Sequence, residues 1–420
     1  MAMTTVRKWV VAFALSVLAG SAHAANEISF YYYSVSPNNA KAVEDLIAAF
    51  EKENPDIKVK GSNKDYRTLN AEIKTALVAG NPPDVGQILT QSISDMVLNA
   101  RAIPLEKSPD GAKWMERFYP SFRTLGQFKG QNYLLPFTHG VALMYYNKSL
   151  MKEAGLSPDS PPANWDELVK QAQQIKDKTG KEGVFAFGTD NDWNTQTILI
   201  AGGANILSPE GDRFTFADEK GIAALQTWQD LSKKYGLMPS ITTRQALAAF
   251  NAGQLGFYIY TSAQLVGIVN NAKGNFDVGV AAVPRFGSEP LKLPNSGSGL
   301  MVFSQDPERQ KNAFKFLESL SRPENSIKMS LDSGYMPVTM DPMSDPRITD
   351  FVAKVPQYSV MLDQMKVVVP KPQYPGDRAV DIQNLMVGLL DDLLAGRGTA
   401  AELAPEAQRR MNETLGQPAK

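Results

Sequence analysis

With 43 basic and 44 acidic side chains in 420 residues, this chain has a formal charge of −1 and offers no basic surface for nucleic acid or for an anionic membrane. It has no cysteine, which excludes disulfides, thiolate zinc sites, thiol catalysis and a lipid-carrying cysteine near the N-terminus. One core seldom serves a chain of this length, so two lobes are expected.

Arg7 and Lys8 precede an apolar run from Trp9 to about Gly20, which Ala22-His23-Ala24 closes. A charged, an apolar and a small-residue segment in that order make a cleavable export signal, too short to span a bilayer comfortably. Residues 1–24 are therefore set aside, with cleavage expected after Ala24. The remainder keeps 41 basic and 44 acidic residues, a formal charge of −3. An exported chain without a lipid anchor is expected in a periplasm, held there by an outer membrane.

From Ile28 to Tyr33 a short β-rich run predicts a strand, and Val43, Leu46, Ile47 and Phe50 recur at helical spacing until Asn54-Pro55 stops them. Ile57 and Val59 alternate with lysines as a second strand. Leu69, Ile73, Ala76 and Leu77 form the next helix face, ending at Gly80, and Val85 to Leu89 is a third strand. This rhythm predicts α/β lobes with helices covering a mainly parallel sheet. A second unit starts near Pro136, with a strand over 141–146 and a short helix over 147–155. Asn164 followed by Glu167 is a capping-box pattern for a helix buried through Leu168, Val169, Ala172 and Ile175. A strand is expected over 184–187, a helix ending before Gly253, a strand over 255–260, and a helical C-terminal part from Asp381 to about Leu415, broken at Gly396-Arg397-Gly398.

Several segments, read in order, resemble the extracellular solute-binding proteins of sugar-type ABC importers. They include Ala49-Phe50-Glu51-Lys52-Glu53-Asn54-Pro55, Ala79-Gly80-Asn81-Pro82-Pro83-Asp84-Val85, Tyr145-Tyr146-Asn147-Lys148, Trp165-Asp166-Glu167-Leu168, Phe250-Asn251-Ala252-Gly253, Gly297-Ser298-Gly299-Leu300 and Ser333-Gly334-Tyr335-Met336-Pro337. Most of these residues also have a plain structural role as helix stops, caps and core. The resemblance implies the two-lobe α/β fold of periplasmic binding proteins (type II), hinge-linked, with solute in the interlobe cleft. It implies lobe 1 at 25–136 plus about 286–340, and lobe 2 at 137–285 plus about 341–420. It also implies a monomer that hands a small polar solute to permease subunits with an associated ATPase, without a cofactor.

Within that family the chain resembles the sn-glycerol-3-phosphate-binding proteins, which also take glycerophosphodiesters. Where the sequence matches, the resemblance carries ligand contacts over to Tyr66, Ser262, Gly297, Tyr335 and Arg378. An arginine grips phosphate through paired charge-assisted hydrogen bonds, while hydroxyls and a glycine N–H supply the rest. Arg378 also has the plain reading of a surface pair with Asp377 or Asp381. The family's acidic residue for the glycerol hydroxyls falls here at Thr90. Its cleft tryptophan pair is reduced to Trp193, with Asp190 near the other position. A carboxylate there repels phosphate and suits sugar hydroxyls, so a sugar or oligosaccharide ligand stays open. Of Tyr31, Tyr32 and Tyr33, Tyr32 or Tyr33 is expected to face the ligand, at a strand's C-terminal end.

A secreted carbohydrate-active hydrolase is the competing class. Beyond residue 24 the only histidine is His139, there is no Gly-x-Ser-x-Gly elbow, and no Gly-x-x-x-x-Gly-Lys loop for ATP. Asp190-x-Asp192-x-Asn194 opens like a calcium loop, but Thr195 stands where glycine is needed and Ala201 where the closing glutamate belongs. No metal and no catalytic residue are expected.

Overall fold

The computed structural model describes residues 26–416, so the expected export signal at 1–24 lies outside the described residues. The first sheet uses β1 (Glu27–Tyr33), β2 (Lys58–Lys64), β3 (Val85–Leu89) and β4 (Leu135–Gly140). The second uses β5 (Ala142–Asn147), β6 (Glu182–Ala186), β7 (Leu255–Thr261) and β8 (Val278–Ala281). A two-residue strand β9 (Leu293–Pro294) follows, then β10 (Ser296–Val302), which returns to the first sheet, and β11 (Val368–Val369), which pairs with β9. The spatial orders are β2-β1-β3-β10-β4 and β8-β5-β7-β6.

The expectation of a mainly parallel arrangement needs a correction. In the first sheet β10 runs against both neighbours, and in the second β5 runs against both of its own. Helical crossovers impose parallel pairing, but β5 enters its sheet as the direct continuation of β4, and β10 arrives from the other lobe. A strand that comes in by crossing between lobes is free of that constraint.

The helices start and stop where the local chemistry demands. Ser36 caps α1 (Pro37–Glu53) by accepting from the Asn39 N–H, with Pro37 in the first turn, and the Asn54 side chain donates back to the Phe50 carbonyl at the other end. After α2 (Leu69–Val78) and the short α3 (Ile93–Asn99), Asn164 caps α4 (Trp165–Thr179), which ends on Gly180 in the left-handed conformation. The buried face of α1 brings Val43, Leu46 and Phe50 onto Ile28 and Phe30. Phe316, from the helix Pro307–Leu320, closes that core edge-on to both Phe30 and Phe50. In the second lobe Tyr145, Phe185, Phe250 and Tyr258 form the equivalent aromatic layer.

The lobes are joined where β4 runs into β5, where β9 runs into β10, and beside β11. Asn295 ties these crossings together: its Oδ1 accepts the Lys371 N–H at 2.7 Å, so its Nδ2 faces His139 Nδ1 at 2.9 Å. His139 is fully buried and its Nε2 has no hydrogen-bond partner among the described residues. Burial pushes this imidazole down from 6.5 to about 3, against a weaker raising effect of a hydrogen bond to the Ser296 backbone carbonyl.

A folded-state value below the unfolded one means that the unfolded chain takes up the proton first, so the stability present above about pH 6.5 is lost as pH falls toward 3. Urea titrations should show His139 contributing a loss on the order of 1 kcal/mol per pH unit between pH 6 and 4. His139→Asn should flatten that part of the slope; an unchanged slope would remove histidine burial as its cause.

Candidate ligand-binding cleft

Between the sheets lies a cleft of about 760 Å³, within the range of small-molecule sites. Strand ends feed it: Tyr33 closes β1, Leu89 closes β3, and Tyr260 with Thr261 closes β7. The tyrosine register is thereby settled. Tyr33 lines the cleft, whereas Tyr32 packs its ring on Phe30 in the core. Burial pushes the Tyr33 phenol up to about 12.

One wall is built around Asp190. After β6 the chain turns through Phe187, whose φ of 51° is rare for a side chain of that size, and Asn191 then caps α5 (Asp192–Ala201). The turn points the Asp190 carboxylate at hydroxyls. Oδ2 accepts from Tyr66 at 3.2 Å and Tyr260 at 3.3 Å, and Oδ1 from Thr243 at 2.6 Å and the Asn194 amide at 3.2 Å. Gly188 permits the closest of these, since a Cβ there would sit 2.1 Å from Thr243 Oγ1. Tyr66 comes from the first lobe, so its bond to Asp190 spans the cleft. Burial, and then the Asp190 charge, push the Tyr66 phenol above its ordinary value, which keeps it a donor.

The inner end holds a buried ion pair. Lys371 Nζ lies 3.4 Å from each oxygen of Asp192, and the two side chains are only 3% and 2% exposed. Burial lowers the Lys371 ammonium from its usual value, with Asp192 pulling the other way. Tyr374 donates to Asp192 Oδ2 at 2.5 Å and Gln196 at 3.3 Å. At the mouth, Lys64 pairs with Glu72 and Arg67 with Asp65, while Arg244 is exposed and makes no salt bridge among the described residues. Asp190 makes none either, so the cleft as a whole is close to charge-balanced.

Tyr66, Trp193, Gly297 and Tyr335 come together on this cleft. Trp193 donates through Nε1 to the Pro294 carbonyl at 3.1 Å and meets Tyr260 edge-on. Gly297 has φ 140°, and a Cβ on it would lie 2.1 Å from the Thr138 carbonyl oxygen, so no larger residue fits.

The other positions lie elsewhere. Thr90 is fully buried at the turn before α3, behind the lining residues Leu89 and Gln91. Ser262 is likewise buried, its Oγ accepting the Val141 N–H at 3.3 Å where the chain crosses between lobes. Arg378 does not reach the cleft. It stands at the start of the helix Ala379–Ala395, more than half exposed and paired with Asp381, in a separate surface groove beside Leu385 and Leu403. Its neighbouring carboxylate satisfies it there.

The cation at the inner end of the cleft is Lys371, with Lys64, Arg67 and Arg244 at the mouth. Composition around Pro370-Lys371-Pro372 gives no sign of this, because lysines are almost always exposed. Asp192 was visible in the calcium-like triplet, but its partner lies far along the chain. Among the described residues no group of acidic and histidine side chains is placed to hold a metal ion.

Residues 35–327 match the family model for the bacterial extracellular solute-binding protein. Among curated proteins, the sn-glycerol-3-phosphate-binding periplasmic protein UgpB of Escherichia coli (strain K12) is 26% identical over 417 residues, covering 95% of this chain and 94% of that protein. The fold is shared with solved structures. UgpB from Mycobacterium tuberculosis in complex with glycerophosphocholine superposes with a TM-score of 0.80 at 22% identity, over 92% of this chain and 98% of that one. The GacH receptor of Streptomyces glaucescens, solved unliganded and with acarbose, gives 0.81 at 20% identity, over 93% and 98%. A solute-binding protein from Thermotoga lettingae bound with α-D-tagatose gives 0.81 at 22% identity, over 93% and 100%.

Proposed function

With this chain a member of the bacterial extracellular solute-binding protein family, serving an ABC importer as its solute-binding component, we propose that it works in the periplasm and that its cleft takes a small, uncharged, hydroxyl-rich solute such as a sugar. The observation that carries the solute class is Asp190: a carboxylate in the cleft wall, without a cationic partner among the described residues, ringed by Tyr66, Tyr260 and Thr243. That carboxylate already accepts four hydrogen bonds, so the hydroxyl oxygens that donate to it, Tyr66 foremost, are what accept from sugar hydroxyls, while its charge repels phosphate and Trp193 offers a flat apolar face to the C–H side of a sugar.

Lobe 1 takes 26–140 with about 296–340 and lobe 2 takes 141–295 with about 341–416, a shift from the expected bounds at 136 and 286 because β4 and β10 both belong to the first sheet. Open and closed arrangements coexist, and solute favours closure only by the extra contacts that it makes there. The Tyr66–Asp190 bond marks where the lobes meet. The closed form is what the permease receives, as a monomer with its solute chemically unchanged.

Glycerol 3-phosphate or a glycerophosphodiester is the second reading. It is favoured by the name of the curated relatives and by Arg67 and Arg244 at the mouth. Calorimetric titration of the purified protein with maltose, trehalose, glycerol 3-phosphate and glycerophosphocholine separates the two. Saturable heat with a sugar, and none or weaker with the phosphates, is expected. Tighter binding of a phosphate rejects the sugar, and release of a hydrolysed product rejects transport.

A further inference from the structure

The two oxygens of Asp192 have unlike surroundings. Oδ2 accepts from Tyr374 at 2.5 Å and from Gln196, neither of which lines the cleft, and shares Lys371 Nζ at 3.4 Å with the other oxygen. Oδ1 faces Gln91, Lys371 and Gln383, all cleft-lining, at 3.4, 3.4 and 3.5 Å. Those lengths are at the limit of hydrogen bonding, so this oxygen still has capacity to accept. Gln91 is 1% exposed, and its amide orientation follows from its neighbour: with Nε2 toward the carboxylate, Oε1 points away, buried and without a partner among the described residues. Lys371 has three N–H donors and, among the described residues, hydrogen-bonds Asp192 alone.

From this we infer that the Asp192–Lys371 end of the cleft is a subsite for adjacent hydroxyls, which takes the hydroxyl end of the solute and turns any phosphate toward the mouth. The inference rests on the proposal that solute binds in this cleft. A hydroxyl both donates and accepts. One bound here donates to Asp192 Oδ1 or Gln91 Oε1 and accepts from Lys371 Nζ, using each idle group. A phosphate only accepts, and here it would face a carboxylate and an amide oxygen across one already-shared ammonium. At the mouth it would meet Arg67 and Arg244 instead.

The test is calorimetric titration of maltose, trehalose and glycerol 3-phosphate into the unmodified protein, Asp192→Asn, Gln91→Met and the double variant Asp192→Asn with Lys371→Met. The double variant removes both charges together, in case the single change alone fails to fold. For any ligand that binds the unmodified protein, Asp192→Asn and the double variant should weaken affinity by about 10- to 100-fold, the range for a hydrogen bond to a charged group. Gln91→Met should weaken it by about 3- to 10-fold.

Glycerol 3-phosphate should follow the same direction, because its glycerol end is the part held inside. Affinity within twofold of the unmodified protein in a folded Asp192→Asn or double variant overturns the subsite. So does tighter glycerol 3-phosphate binding, which would place phosphate at the inner end. Either result leaves the cleft as the binding site. If none of the three ligands binds the unmodified protein, the solute class proposed for the cleft fails, and the subsite with it.

Discussion

Lys371→Met is expected to cost the folded protein roughly 3 kcal/mol, at the lower end of what breaking a buried ion pair costs. The reason is the carboxylate left behind: Asp192 is 2% exposed and would keep its burial while losing the only cation paired with it among the described residues. Tyr374 and Gln196 continue to donate to Oδ2, which places the effect at the low end. Denaturant titration of the variant reads this directly, and the double variant Asp192→Asn with Lys371→Met should recover most of the loss, since neutralising both partners removes the unpaired charge. A single variant as stable as the parent would mean that this pair does not compensate charge in the folded state.

Trp193→Ala should be of comparable size in stability and larger in function. Trp193 is 5% exposed, its ring meets Tyr260 at 6.0 Å and Phe187 at 6.3 Å, and its N–H satisfies the Pro294 carbonyl beside the lobe crossing. Truncation opens a cavity and leaves that carbonyl without its donor, a loss of about 3–5 kcal/mol. Trp193→Phe should keep much of the packing and lose about 1 kcal/mol with the hydrogen bond. Because the same ring lines the cleft, solute affinity measured by calorimetry should drop in both, most in alanine. If alanine left affinity intact in a folded protein, Trp193 would be core alone.

Much of the architecture was legible locally. Asn54-Pro55 stops α1, Asn164 with Glu167 caps α4, and Gly396 in the left-handed conformation ends the first of the C-terminal helices, each at its expected place. These features depend on neighbours a few residues apart. Strand direction does not, and the reversed strands β5 and β10 were invisible because alternation of apolar residues reads the same in either direction.

The cleft divides along the same line. Gly297 and Tyr335 could be named because each lies in a segment that carries the resemblance, whereas Tyr66 and Trp193 were carried over from it as single positions. Arg378 could be named too, but its partner Asp381 is three residues away and takes it to the surface. The sequence by itself determined the α/β elements, which follow from periodicity and short-range capping, and, through the resemblance of its ordered segments, the family and the residue types carried over to the cleft. Only the tertiary structure decided which charges meet. Asp192 and Lys371 are paired by the fold, Asp190 faces Tyr66 across two lobes, and such contacts follow from where the chain crosses between sheets, which no local pattern records.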